Sequence, residues 1–133
     1  MALERFLPEG CTYQPCDLVA RDQRTLVCDF NAGTFPDGAD CDVATTLGVL
    51  EYLSDVPWFL TKLRALGCPI ILSYSVADRA PASRRVLGWA NDYTQKEILD
   101  LLINAGLRPD VGAIIENGQI LLRLKPSPAT AIE

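Results

Sequence analysis

A chain of 133 residues has room for one domain around one core, and its 49% hydrophobic residues are enough to fill that core. Seventeen acids against twelve bases leave a net charge of −5, so a basic track for nucleic acid is absent and long-range steering would repel phosphate. Histidine is missing altogether, which removes the commonest general base, the usual Ser or Cys triads and most zinc sites.

Residues 2–7 carry Leu3, Phe6 and Leu7 on one helical stripe, which Pro8-Glu9-Gly10 stops. A first strand is predicted from Tyr13 to Val19, with Asp17 toward its end, and a second from Thr25 to Phe30, ending at Asp29-Phe30-Asn31. Each delivers a carboxylate at its C-terminal end. The loop from Asn31 to Gly38 is turn-forming by composition, and Cys41 to Leu47 reads as a buried third strand followed by a short helix over Gly48 to Leu53.

Ser54-Asp55-Val56-Pro57 is a helix start, with a capping side chain and a proline in the first turn. Trp58, Phe59, Leu60, Leu63 and Leu66 supply its apolar side, with Trp58 expected in the core or an interface, and Gly67 closes it. Pro69 to Tyr74 is an almost continuous apolar run, which suits a strand covered on both faces. Residues 78–92 are polar and irregular, a loop or short helix over the strand ends. Thr94-Gln95-Lys96-Glu97 has capping-box spacing, which predicts a helix to Ala105 capped by Gly106. Val111 to Glu116 and Gln119 to Leu124 then flank Asn117-Gly118, a hairpin signal, and residues 126–133 are expected to form a flexible tail.

The five cysteines include no Cys-x-x-Cys pair, so the spacing offers no evident metal or redox clip and they are read as packing residues. The apolar stretches are broken well before the ~20 residues of a membrane span. The first residues lack the basic region and apolar core of a signal peptide, and the expected location is cytoplasmic.

Alternating strands and helices before a terminal hairpin describe a doubly wound sheet with a reversed last strand. Cys16-Asp17-Leu18, Val27-Cys28-Asp29-Phe30 with the following Phe35 to Val43, Leu47-Gly48-Val49-Leu50-Glu51-Tyr52-Leu53, and the closing Tyr93 to Leu107 together resemble the class I S-adenosylmethionine-dependent methyltransferases. The resemblance covers about Met1 to Lys125, taken as one methyltransferase-like domain. It implies an α/β, three-layer Rossmann-like sheet, mostly parallel with a C-terminal antiparallel hairpin, with the first family strand missing. That strand and its Gly-x-Gly turn form the floor under the cofactor's methionine end, and here they would lie upstream of Met1.

The resemblance also implies site residues. Asp17 stands where the family's acid holds the ribose hydroxyls, Asp29 and Phe30 where the adenine loop lies, and Leu47 beside the methionine portion of S-adenosylmethionine. Many relatives have Glu-His where this chain has Glu51-Tyr52, and these two residues are read as helix surface and wall packing. Tyr52, Tyr74 and Trp89, with Arg84-Arg85 nearby, are candidates for an acceptor pocket, and Trp89 reads equally as a packing lid. No catalytic group and no metal site are assigned, since methyl transfer from a sulfonium needs alignment and a dry site more than an acid or base. The expected activity is methylation of a small-molecule or sugar-like acceptor, with a non-catalytic binding or oligomerisation module as the alternative. Three accounts of the absent strand stay open: a fragment of a longer enzyme, loss of cofactor function, or a partner that supplies the strand. The last would make a homodimer through an exposed sheet edge.

Overall fold

The computed structural model describes residues 3–36, 40–79 and 84–127, which form two compact units divided after Gly38. In the first unit a 3-10 turn at Glu4–Phe6 stands where a longer helix was expected. Two short strands follow, β1 (Cys16–Asp17) and β2 (Leu26–Val27), paired parallel with Cys16 opposite Leu26 and Asp17 opposite Val27. They are much shorter than their apolar runs. Leu18, Val19 and Val27 are more than half exposed, so these runs lack the covering layer that would extend a parallel ladder.

The second unit contains β3 (Ala44–Thr46), α1 (Val56–Ala65), β4 (Ile70–Ser75), α2 (Gln95–Asn104), β5 (Leu107–Ile115) and β6 (Gln119–Pro126). Its sheet runs β3-β4-β6-β5, with β3 parallel to β4 and β6 antiparallel to both β4 and β5. Among the described residues no strand pairs with the outer side of β3. The short helix expected after β3 is a single 3-10 turn, Leu50–Tyr52.

Local chemistry accounts for the helix ends. Asp55 caps α1 by accepting from the Trp58 N–H at 3.1 Å, and Pro57 sits in the first turn where its missing donor costs nothing. Thr94 and Glu97 form the expected capping box on α2. Gly67 and Gly106 take positive φ of 72° and 82° just past the two helices, a backbone conformation glycine adopts without strain.

One face of the sheet is apolar across strands: Ile70 lies opposite Leu124, Leu72 opposite Leu122 and Tyr74 opposite Ile120, and all six are buried. Val56, Phe59, Leu60 and Leu63 of α1 and Ile98 and Leu102 of α2 are buried with them in the core of this unit. Each such aliphatic side chain contributes roughly 1.5–3 kcal/mol on burial. The hairpin closes at Glu116–Gly118, where Asn117 (φ 63°) and Gly118 (φ 73°) both take positive φ, as a tight turn matched to strand twist requires.

β5 begins at Leu107, four residues earlier than expected, because a register shift between Pro109 and Val111 accommodates the proline on this outer strand. Pro126 and Ser127, expected in a flexible tail, are tied down: Pro126 ends β6 and the Ser127 N–H donates to the Gly106 carbonyl at 2.7 Å. Residues 128–133 lie outside the described residues. No helix among the described residues is long and apolar enough to cross a membrane.

Candidate functional site

The Asp17 carboxylate closes the end of β1. Its Oδ1 accepts from the Leu18 N–H at 2.7 Å and its Oδ2 from Arg21 Nε at 3.0 Å, and these bonds, Arg21's first, hold its pKa below the usual carboxylate value. It is therefore an ionised, half-exposed acceptor, and a carboxylate with two such partners keeps lone pairs for hydroxyl donors. Asp29 follows β2 and caps the 3-10 turn Phe30–Ala32, its Oδ1 accepting from the N–H groups of Asn31 and Ala32. Thr34 braces the same turn, its hydroxyl accepting from the Asp29 N–H at 2.7 Å. Phe30 is half-buried, with its ring centroid 5.8 Å from that of Phe35. Asp17, Asp29 and Phe30 all belong to the first unit.

Leu47, Tyr52, Tyr74 and Trp89 belong to the second unit, at or beyond the C-terminal ends of β3 and β4. Leu47 directly follows β3 and is 43% exposed. The next residue's N–H, that of Gly48, donates to Ser73 Oγ on β4 at 2.9 Å. Tyr52 is half-exposed on the 3-10 turn, close to Gly88.

Tyr74 has no exposed surface, so it shapes the site from behind. Its hydroxyl donates to Asn91 Oδ1 and accepts from Arg84 Nη2 at 3.0 Å and from the Tyr93 N–H at 3.1 Å. Burial raises the pKa of this phenol, so it stays a neutral donor. Arg84 is itself only 5% exposed, with its guanidinium 5.7 Å from the Tyr74 ring centre and 4.9 Å from that of Trp89. Its Nε also reaches the Asn91 carbonyl at 3.2 Å and Asp92 Oδ1 at 3.1 Å. The structure thus brings Tyr74 and Trp89 together through one arginine between them.

Two residues matter here that sequence reasoning missed or misplaced. Asn91 donates through Nδ2 to the carbonyls of Leu50 and Leu53, at 2.8 and 2.9 Å, which ties the segment after β4 onto the 3-10 turn. Glu51, expected on a helix surface, is 2% exposed. Its Oε2 accepts from the Ser75 N–H at 2.8 Å, and its carbonyl accepts from the Ala90 N–H at 2.6 Å. Glu51 Oε1 and Thr46 Oγ1 are buried without a hydrogen-bond partner among the described residues. The available signal was Tyr74 itself, because a phenol hydroxyl in a buried strand must find partners.

The cysteine reading also changes. Cys28 and Cys68 are buried and Cys41 is half-buried, as packing residues would be, but Cys41 and Cys68 stand with their sulfurs 3.3 Å apart. Sequence spacing concealed this pair, because β3 and β4 bring together residues 27 positions apart.

No protein-family model matches the sequence, and no curated protein matches it. Solved structures do match. A putative methyltransferase from Haloferax volcanii, in complex with the Trm112 methyltransferase activator, superposes with a TM-score of 0.66 at 12% identity, over 81% of this chain and 63% of that one. The 1,6-didemethyltoxoflavin-N1-methyltransferase of Burkholderia thailandensis, with bound 1,6-didemethyltoxoflavin and S-adenosylhomocysteine, gives 0.66 at 17% identity, over 85% of this chain and 60% of that one. The mitomycin 7-O-methyltransferase MmcR gives 0.58 at 23% identity, over 78% of this chain and 34% of that one. This chain therefore spans less than two thirds of the length of each of these neighbours. With its parallel strand pairs, its terminal antiparallel hairpin and these superpositions, the chain has the Rossmann-like fold of the S-adenosylmethionine-dependent methyltransferases.

Proposed function

We propose that this chain contributes the nucleoside-binding and acceptor-binding parts of a methyltransferase that acts on a small molecule. The observation that carries this reading is the braced wall at the C-terminal ends of β3 and β4, where Arg84, Tyr74 and Asn91 fix the segment that bears Trp89. Ligand crevices of open α/β sheets lie beyond the strand C-termini.

Within the proposal, Asp17 accepts from vicinal ribose hydroxyls, and its ionised, half-exposed carboxylate fits that task. Asp29 fixes the turn that presents Phe30 as an apolar surface for the adenine. Leu47 packs against the aliphatic methionine portion. S-adenosylmethionine, when bound, supplies an electrophilic methyl group on a sulfonium. The chain's own part is alignment and exclusion of water: Tyr52 and Trp89 line the acceptor side, and Tyr74 sets the position of Trp89 through Arg84. No general base is assigned, so an acceptor with an already nucleophilic oxygen or nitrogen suits the site best. The protein is expected to act in the cytoplasm.

Calorimetric titration with S-adenosylmethionine and S-adenosylhomocysteine tests the reading. Binding with a Kd between micromolar and millimolar, weakened at least tenfold by Asp17→Asn, is the expected result. Absence of heat up to about 1 mM would overturn autonomous cofactor binding.

The alternative, a non-catalytic binding or oligomerisation module, is favoured by a different observation. The outer side of β3 is unpaired among the described residues, and Val43 and Leu47 beside it are 52% and 43% exposed. A homodimer by light scattering at micromolar concentration, together with no cofactor heat, would select that reading.

A further inference from the structure

The Cys41 and Cys68 sulfurs are 3.3 Å apart, where a disulfide needs about 2.05 Å. Closing the gap moves the two sulfurs together by roughly 1.2 Å in total, within reach of small side-chain rotations. The backbone around them is already fixed. Cys41 precedes β3 and Cys68 precedes β4, these strands pair in parallel with Ala44 opposite Ile70, and the Ala44 N–H donates to the Pro69 carbonyl at 3.0 Å. A shared metal ion is a poorer reading, because among the described residues no group of three or more His, Cys, Asp or Glu side chains could hold one.

The two thiols differ in access. Cys41 is half-buried and Cys68 is 6% exposed, so Cys41 is the more accessible of the two. Burial, with Cys41 beside it, pushes the Cys68 thiol up to about 11 and makes it a slow first nucleophile at neutral pH. We propose that Cys41 and Cys68 form a site of reversible oxidation to an intramolecular disulfide, entered at Cys41 by exchange with a low-molecular-weight disulfide such as glutathione disulfide.

The exchange balances in two steps. Cys41 loses its proton and its thiolate attacks one sulfur of glutathione disulfide; that S–S bond breaks, and glutathione leaves as a thiolate that takes up a proton. Cys68 then loses its proton and attacks the Cys41 sulfur of the mixed disulfide, expelling the second glutathione. Two protein thiols are oxidised and one glutathione disulfide is reduced to two thiols. The product staples the entries of β3 and β4, at the ends of these strands opposite Thr46 and Ser75.

The test uses the full chain with Cys11→Ser, Cys16→Ser and Cys28→Ser, equilibrated in glutathione buffers of increasing oxidised fraction. The expected product is two hydrogen masses lighter, has no free thiol and melts higher by on the order of 10 °C, a shift reversed by dithiothreitol. Adding Cys41→Ser should leave Cys68 free and without adduct. Persistence of both free thiols, or a product one glutathione heavier with Cys68 still free, would overturn the proposal. If the triple variant fails to fold, peptide mapping of the wild-type chain after the same treatment decides the matter: a Cys41–Cys68 linked peptide supports it, and oxidised material without that link refutes it.

Discussion

Arg84 donates to the Tyr74 hydroxyl at 3.0 Å while its guanidinium covers the Trp89 ring at 4.9 Å, so a buried strand residue and a residue of the following segment share one cation. The arginine fork suits this position because it offers several fixed donors and a flat face for stacking.

Replacing Arg84 should therefore cost more than an average surface change. Arg84→Met keeps the stem but removes the donors to Tyr74, to the Asn91 carbonyl and to Asp92, and a loss of about 2–4 kcal/mol in urea unfolding is expected. Arg84→Lys should recover less than half of it, since a point charge cannot serve the same partners at once. A loss below about 0.5 kcal/mol for Arg84→Met would contradict the bracing role.

Asn91 offers a nearly isosteric test. Asn91→Asp removes both donors to Leu50 and Leu53 and sets a carboxylate against two carbonyl oxygens. A destabilisation of about 2–4 kcal/mol at pH 7 is expected from equilibrium unfolding. Under the proposed function, acceptor affinity should fall with it while affinity for S-adenosylhomocysteine changes little.

Asp110 links stability to pH. The hydrogen bond from Arg123, then that from Lys125, holds its carboxyl down to about 2, below the ordinary 3.8. A depressed folded-state pKa gives stability that is present above the unfolded value and lost as pH falls through the folded one. Asp110→Asn should thus lower the melting temperature slightly at pH 7, with the difference from wild type shrinking between about pH 4 and pH 2. The ion pairs lie at the surface, so added salt should shrink the difference as well.

The hairpin turn gives a backbone test. Asn117→Val forces a β-branched residue to a φ of 63° and should cost about 1–2 kcal/mol, whereas Asn117→Gly should stay within about 0.5 kcal/mol of wild type. Gly118→Ala, at a φ of 73°, should cost about 1 kcal/mol. Equal effects of Val and Gly at position 117 would mean the turn conformation carries no energetic weight.

Features set by neighbouring residues were legible in the sequence. The Thr94–Glu97 capping box, the Asp55–Pro57 helix start and the Asn117–Gly118 turn each rest on a few adjacent side chains, and each formed as read. The strand runs of the first unit misled because apolar composition marks what a strand could bury, whereas its length depends on what covers it; Leu26 and Val27 form a two-residue strand and stay exposed. Pro109 delayed the expected start of β5, since nothing local reveals that an outer strand with a register shift will receive it. Asp17, Asp29, Tyr74 and Trp89 could be named as candidates from residue type and place in the chain, and their roles are proposals. The buried Glu51 and the clamp made by Asn91 could not, because both depend on contacts across 24 to 41 residues of sequence.

Asn91 grips the 3-10 turn only through main-chain carbonyls, those of Leu50 and Leu53. The half-exposed Tyr52 between them can be exchanged without cutting either bond. One wall of the proposed acceptor site can thus be re-lined at position 52 while both of these anchoring bonds stay in place.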